Sequence, residues 1–248
     1  MDINQYLPSV SIDCVLFGFH VDELKVLLLK MKESDGWMLP GGFVALDQDL
    51  NTEAGTVLKR RTGLENIFLR QFYVFGSVNR SEKDHIDHLL AKKIVQSEVA
   101  QWFEQRFISV GYYALVEYSK VTAPTPDHIT DACKWMPLTD LPRLLLDHAQ
   151  IIGKAHETLK KELYSQPIGL NLLPEEFTMT ELQSLYETIL QRSIDRRNFR
   201  RKMLSLGVLK DTNRRRTGLG HRAPILYTFD EEQYSKALEA GFQASGFF

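Results

Sequence analysis

Only two cysteines, Cys14 and Cys133, occur in 248 residues. That is too few for a disulfide framework or a four-ligand zinc site, and it fits reduced thiols in a cytoplasmic protein. No apolar run approaches the roughly 20 residues that a membrane helix needs. The opening stretch, MDINQYLPSV, has neither the basic region nor the apolar core of a secretory signal. Glycine and proline are sparse, at 15 and 9 residues, which excludes fibrous and low-complexity classes. Charge of one sign is lacking too: 30 basic against 32 acidic side chains leave a net of -2, giving no hint of an acidic partner. What remains, 44% hydrophobic and 25% charged, is ordinary globular composition. The length suits one large domain or two modest ones.

The near-neutral total hides an uneven distribution. Residues 1–150 carry 15 basic and 20 acidic side chains, whereas residues 151–248 carry 15 and 12. Within Arg192–Arg222 there are 11 basic residues against two acidic ones, Asp195 and Asp211. Nucleic acid, poorly supported by the whole chain, is well supported by this window.

The first 165 residues alternate strand and helix patterns. Val10–Phe19 and Leu24–Met31 read as paired strands, followed by the loop Trp37-Met-Leu-Pro-Gly-Gly-Phe43. Asp49–Arg61 reads as a helix stopped by Gly63. Ile67–Phe75, Phe107–Tyr118 and Cys133–Met136 read as strands, with a polar loop at Ser77–Asp87 and a helical stretch at His88–Gln105. A further helix is expected near Leu144–Tyr164. Strands mixed with helices in this way indicate an α+β domain. Prolines and a glycine interrupt the pattern in Ser165–Pro174, so a linker is expected at 166–174 and a second domain at 175–248.

That second domain opens on Thr178-Met-Thr-Glu181, a capping box, followed by apolar residues at helical spacing. A second helix starts at the N-cap Asp195 and stops at Gly207. Val208–Asp211 and Ile225–Phe229 are expected to pair as a wing across the basic loop Asn213–Pro224. On the second helix Phe199, Met203 and Leu206 share one face, while Arg197 and Arg201 point away, flanked by Arg196, Asn198, Arg200 and Lys202. Guanidiniums pair bidentately with guanine edges and phosphates, and an amide suits adenine. Arg214, Arg215, Arg216 and Arg222 add a flexible basic arm able to follow a backbone. A solvated charged face is the ordinary alternative, but these arginines lack the acidic i,i+4 partners of a salt-bridged surface helix. The expected partner is operator DNA; a protein-interaction adaptor is the competing role.

Gly41–Leu64 resembles the Nudix box, Gly-x5-Glu-x7-Arg-Glu-U-x-Glu-Glu-x-Gly-U with U apolar. Gly42 opens the motif, Leu58 fills the internal apolar position, and Gly63-Leu64 close it. In that family the glutamates bind a divalent metal that activates water. Here the first glutamate position is Gln48, the Arg-Glu pair is Thr56-Val57, and the Glu-Glu pair is Arg60-Arg61. Asp47, Asp49 and Glu53 lie nearby but off the metal positions. The expectation is a preserved fold, no metal, no cofactor and no hydrolysis; the alternative is an active hydrolase of ADP-ribose or another nucleoside diphosphate derivative.

Asn171–Lys202, with Asn198-Phe199-Arg200-Arg201 as its most specific part, is similar to the winged-helix domain of Nudix-related transcriptional regulators. Phe107–Leu115, Trp135-Met-Pro-Leu and Asp147-His148 resemble the same family's sensor domain. The resemblance covers nearly the whole chain. It implies a Nudix-type mixed-sheet α/β/α sandwich, a winged helix-turn-helix, a homodimer, and a repressor responsive to ADP-ribose or to a sugar such as arabinose. One departure concerns the effector: the short Arg-Asp-Pro loop of ADP-ribose binders is replaced after Phe75-Gly76 by Ser77–Asp84 and an insert reaching Gln105. The candidate effector residues are Trp37 and Phe43 as aromatic platforms, Asp13 within an apolar strand, and Asp147 and His148.

Overall fold

The computed structural model describes residues 2–20, 22–65, 67–78, 80, 83–118, 129–163, 169–216 and 223–239. They form two compact units, one of residues 1–18 and 25–155, the other of residues 19–24 and 156–248. The division falls inside a helix, ahead of the expected linker.

The first unit is built on a seven-stranded sheet. Strands β1 (Tyr6–His20), β2 (Glu23–Met31) and β3 (Trp37–Met38) lie side by side, and β4 (Gly41–Ala45) pairs antiparallel with β1. β5 (Arg70–Phe75) is the far edge strand, hydrogen-bonded to β6 (Ile108–Glu117), while β7 (Thr130–Pro137) pairs with β2. β1 and β2 are near-continuous apolar runs because both of their faces are covered, as expected of central strands. Ile12, Cys14, Leu16 and Leu27 pack with Ala54 and Leu58 of helix α1 (Leu50–Thr62) and with Val110, Tyr112 and Ala114 of β6. Asp49 caps α1 by accepting from the Thr52 amide, and Gly63, at φ 73°, ends it in the left-handed conformation that glycine adopts without strain.

The insert differs from the single helical stretch expected at His88–Gln105. It is two helices, α2 (Lys83–Ala91) and α3 (Ser97–Phe103). Lys93, at φ 55°, reverses the chain between them: its amide donates to Leu90 O and that of Ile94 to Leu89 O, the pattern of a Schellman cap. The reversal lets Leu89, Ile94 and Phe103 all pack on the cluster of Leu29, Met31, Met38 and Leu145. One straight helix cannot place these three residues on one side.

In the second unit, α4 (His148–Glu162) enters from the first, and α5 (Met179–Leu190) follows the short strand β8 (Phe177–Thr178). The Thr178–Glu181 capping box is formed in both directions. α6 (Arg196–Ser205) starts on its Asp195 cap and precedes the hairpin β9 (Leu209–Arg215) and β10 (Ile225–Phe229), with α7 (Glu231–Glu239) last. The sheet order is β8-β10-β9. Phe177, Leu182, Leu185, Tyr186, Ile189, Phe199 and Met203 are buried, and Tyr186 meets Phe199 edge-on at 5.3 Å. Leu206 is only half-buried, so the inner stripe of α6 is narrower than its apolar residues indicate. No helix among the described residues is long and apolar enough to cross a membrane.

Candidate nucleic-acid interface and effector site

Burying Phe199 and Met203 fixes the rotation of α6 about its axis. Arg196, Arg197, Asn198, Arg200 and Arg201 are thereby exposed, and Lys202 is half-buried. Two of these side chains are held in place. Arg201 Nη2 donates to Asn198 Oδ1 at 2.8 Å, and Arg200 Nη2 to the Tyr227 hydroxyl at 3.3 Å. No carboxylate among the described residues pairs with Arg196, Arg197 or Arg201. The acids at this end are occupied: Asp195 accepts from the Asn198 amide at 2.8 Å and Glu187 from the Ile194 amide at 2.7 Å. The result is a concentrated positive face whose donors point into solvent.

The wing departs from expectation. Asn213, Arg214 and Arg215 belong to β9 and not to a loop, because pairing with β10 resumes at Arg215↔Ile225 after a bulge. Asn213, at φ 57°, takes up the bulge. Arg214 is ion-paired with Glu176. Arg216 reaches both carboxylate oxygens of Glu181, at 2.9 and 2.6 Å, so neither residue is part of a free arm. Arg215 Nη1 donates to Ala223 O within the wing and the side chain remains exposed. Arg222 lies outside the described residues.

In the first unit the structure brings three of the five expected effector residues into one buried cluster, organised by a residue the sequence did not mark. Arg80, 7% exposed, donates from Nε and Nη2 to the two oxygens of Asp147, each at 3.0 Å, and lies 3.4 Å from Asp13 Oδ2. Ser109 Oγ donates to Asp13 Oδ2 at 2.5 Å, and His148 Nε2 sits 3.5 Å from Asp13 Oδ1. The Leu39 amide donates to His148 Nδ1 at 3.0 Å, which leaves Nε2 to carry the ring proton toward Asp13. Burial alone would push the Asp13 carboxyl up. The His148 and Ser109 hydrogen bonds and the Arg80 charge outweigh it and hold Asp13 at about 2.

Glycine is required opposite this carboxylate. Gly41 pairs with Asp13 across β1 and β4, and a Cβ there would come within 2.5 Å of Asp13 Oδ1. Arg80 and Ser109 had no signal in the sequence, since one is a charge among several in a polar loop and the other a serine within a strand. Only the unexplained Asp13 indicated that a partner had to exist.

A group whose pKa is depressed by folding stabilises the fold above its unfolded value and loses that contribution as pH falls toward the folded value. For Asp13 the window runs from about 4 down to about 2. Asp13→Asn is therefore expected to flatten the stability–pH curve in that window relative to wild type, as measured by urea unfolding at each pH. Identical slopes would show that Asp13 is not linked to folding.

The two aromatic candidates are already covered. Trp37 is 9% exposed and tied by backbone hydrogen bonds to Arg143 O and to the Leu145 amide. Phe43 is half-buried, stacked on Phe103 at 5.6 Å and edge-on to Trp102 at 4.5 Å. The insert thus caps Phe43 with its own rings. On α1, Glu53 is buried and paired with Arg60 at 3.0 Å, and Arg61 is buried with Nη2 3.2 Å from Met38 Sδ.

The chain is similar to known proteins. Residues 169–229 match the model of the family described as NrtR DNA-binding winged helix domain. The ADPR responsive transcriptional repressor NtrR of Acinetobacter baylyi is 28% identical over 234 residues, covering 92% of this chain and 84% of that protein. The crystal structure of Shewanella oneidensis NrtR is similar with a TM-score of 0.68 at 27% identity, covering 92% of this chain and 96% of that one. The same protein complexed with a 27mer DNA gives a TM-score of 0.66 at 26% identity, over 91% and 95% of the two chains. The arginine-faced α6 and its hairpin lie wholly within the matched winged-helix segment. The chain is a DNA-binding transcriptional regulator of the Nudix-related kind, a Nudix-type domain followed by a winged helix-turn-helix.

Proposed function

We propose that the chain is an operator-binding repressor whose Nudix-type domain binds a sugar-containing effector, ADP-ribose before arabinose, without hydrolysing it. The observation that carries the non-hydrolytic part is the state of α1. Its one buried acid, Glu53, is neutralised by Arg60, and Arg61 occupies the next metal position of the motif. Hard divalent cations need a cluster of carboxylate oxygens, and two guanidiniums repel them. The residues present do not fit such an ion. The preference for ADP-ribose follows the effector named for the Acinetobacter repressor.

In this reading residues 1–165 sense, 175–248 read DNA through Arg197 and Arg201 above all, and 166–174 join them. The effector contacts proposed are Asp13, Trp37, Phe43, Asp147 and His148, and binding at the last two requires Arg80 to release a carboxylate. The protein acts as a homodimer on two half-sites. The exposed apolar side chains Phe68, Tyr73, Val74, Val78 and Ile108, on or beside the edge strand β5, support pairing with a second copy. The effector changes operator affinity only by as much as its own affinity differs between the two states of the dimer.

Incubation with ADP-ribose, with and without Mg²⁺, tests both parts. Melting is expected to rise by several degrees at saturating ligand in either buffer, as binding to the folded state alone requires, with ADP-ribose recovered intact. Mg²⁺-dependent cleavage would overturn the non-hydrolytic reading. A shift with arabinose and none with ADP-ribose would replace the nucleotide by the sugar.

A further inference from the structure

Three consecutive arginines in the wing look equivalent in sequence, and strand geometry makes them unequal. Side chains alternate across a strand, so Arg214 and Arg216 share one face and Arg215 takes the other. The shared face meets two acids. Glu176, next to β8, takes Arg214, and Glu181, in the first turn of α5, takes Arg216 through both oxygens. Glu181 is also the capping-box glutamate, accepting the Thr178 amide at 2.7 Å. One carboxylate therefore closes the start of the first helix of the motif and holds the base of the wing.

We infer that Arg214 and Arg216 are positioning residues that fasten the wing to β8 and α5 through Glu176 and Glu181, and that of the three Arg215 alone is a phosphate contact. The physical reason is competition. A guanidinium already paired with a carboxylate has to give up that pair to take a phosphate, whereas Arg215 has only a carbonyl acceptor and lies open to solvent. The acids, in turn, are where a DNA-binding surface would exclude them unless they served the wing. A carboxylate close to DNA repels it, so removing one should strengthen binding unless that carboxylate shapes the surface.

That opposition of sign makes the inference testable in the full chain. The probe is a duplex recovered by the wild-type protein from a random-sequence pool, with Kd measured across a salt series. Glu181→Gln keeps the cap, because glutamine also accepts at this position, but it loses the ion pair. It is expected to weaken binding roughly fivefold, as an exposed ion pair is worth. Arg216→Ala should weaken binding similarly, with the slope of log Kd against log salt unchanged, and the double variant should be no worse than either single one. Arg215→Ala should instead lower that slope by about one.

Glu176→Gln with Arg214→Ala repeats the test on the second pair should Glu181→Gln lower the melting temperature. Equal or tighter binding by the glutamine variants would overturn the inference. A slope reduced by about one in Arg216→Ala, or additive losses in the double variant, would do the same.

Discussion

Arg80→Ala is expected to lower the unfolding free energy of the first unit by about 3–5 kcal/mol, a very large loss for a residue in a polar loop. The Arg80 side chain is 6% exposed and stands between two buried carboxylates, Asp13 and Asp147. Removing it leaves both acids in a low-dielectric interior, with only Ser109 and His148 among the described residues' side chains to satisfy Asp13. The cost is that of uncompensated buried charge, which differs from the net contribution of the pair. Two further variants make the distinction. Arg80→Met combined with Asp13→Asn and Asp147→Asn removes every charge together and should recover most of the loss. Arg80→Lys, a point charge without the fork that spans Asp147, should recover only part of it. Urea denaturation with a probe confined to the first unit measures all three. A loss below about 1 kcal/mol for Arg80→Ala, the range of an exposed pair, would mean that the cluster is open to water in solution.

Arg197→Ala with Arg201→Ala is expected to weaken operator binding by about 100-fold or more, since a well-placed bidentate arginine contributes about 1–3 kcal/mol. Both side chains are exposed and neither is engaged with a carboxylate among the described residues, so the melting temperature should not move. The salt slope should fall by about two if both meet phosphates, and by less if either reads a base. Arg201 is held by Asn198, so Asn198→Ala is the natural companion variant. It should cost affinity partly through loss of Arg201 orientation. Full binding by the Arg197/Arg201 variant would transfer the reading surface from α6 to the wing, the opposite of what the anchored arginines indicate.

Much of this was legible in the sequence because it depends on near neighbours. The Asp49 and Gly63 ends of α1, the Thr178–Glu181 box and the Asp195 cap are set by residues within four positions of one another. The outward face of α6 follows from helical period and two buried side chains, Phe199 and Met203. Period and capping are local physics, and a linear string contains them. The split of the insert into α2 and α3 was not legible. It turns on a left-handed Lys93, a residue with no preference for that conformation, held there by the burial of Leu89 and Ile94.

By itself, then, the sequence determined that two folding patterns share the chain, that positive charge is concentrated in the second, and that arginines stand where the Nudix motif has glutamates. Composition, period and motif spacing are properties of order along the chain. Only the tertiary structure decided that Asp13, Arg80, Ser109, Asp147 and His148 meet, and that Arg214 and Arg216 are bound to acids while Arg215 is not. Those pairs span from 35 positions, Arg216 to Glu181, up to the separation of His148 from Asp13. A buried charge must find its counter-charge in space, and nothing along the chain says which distant residue will supply it.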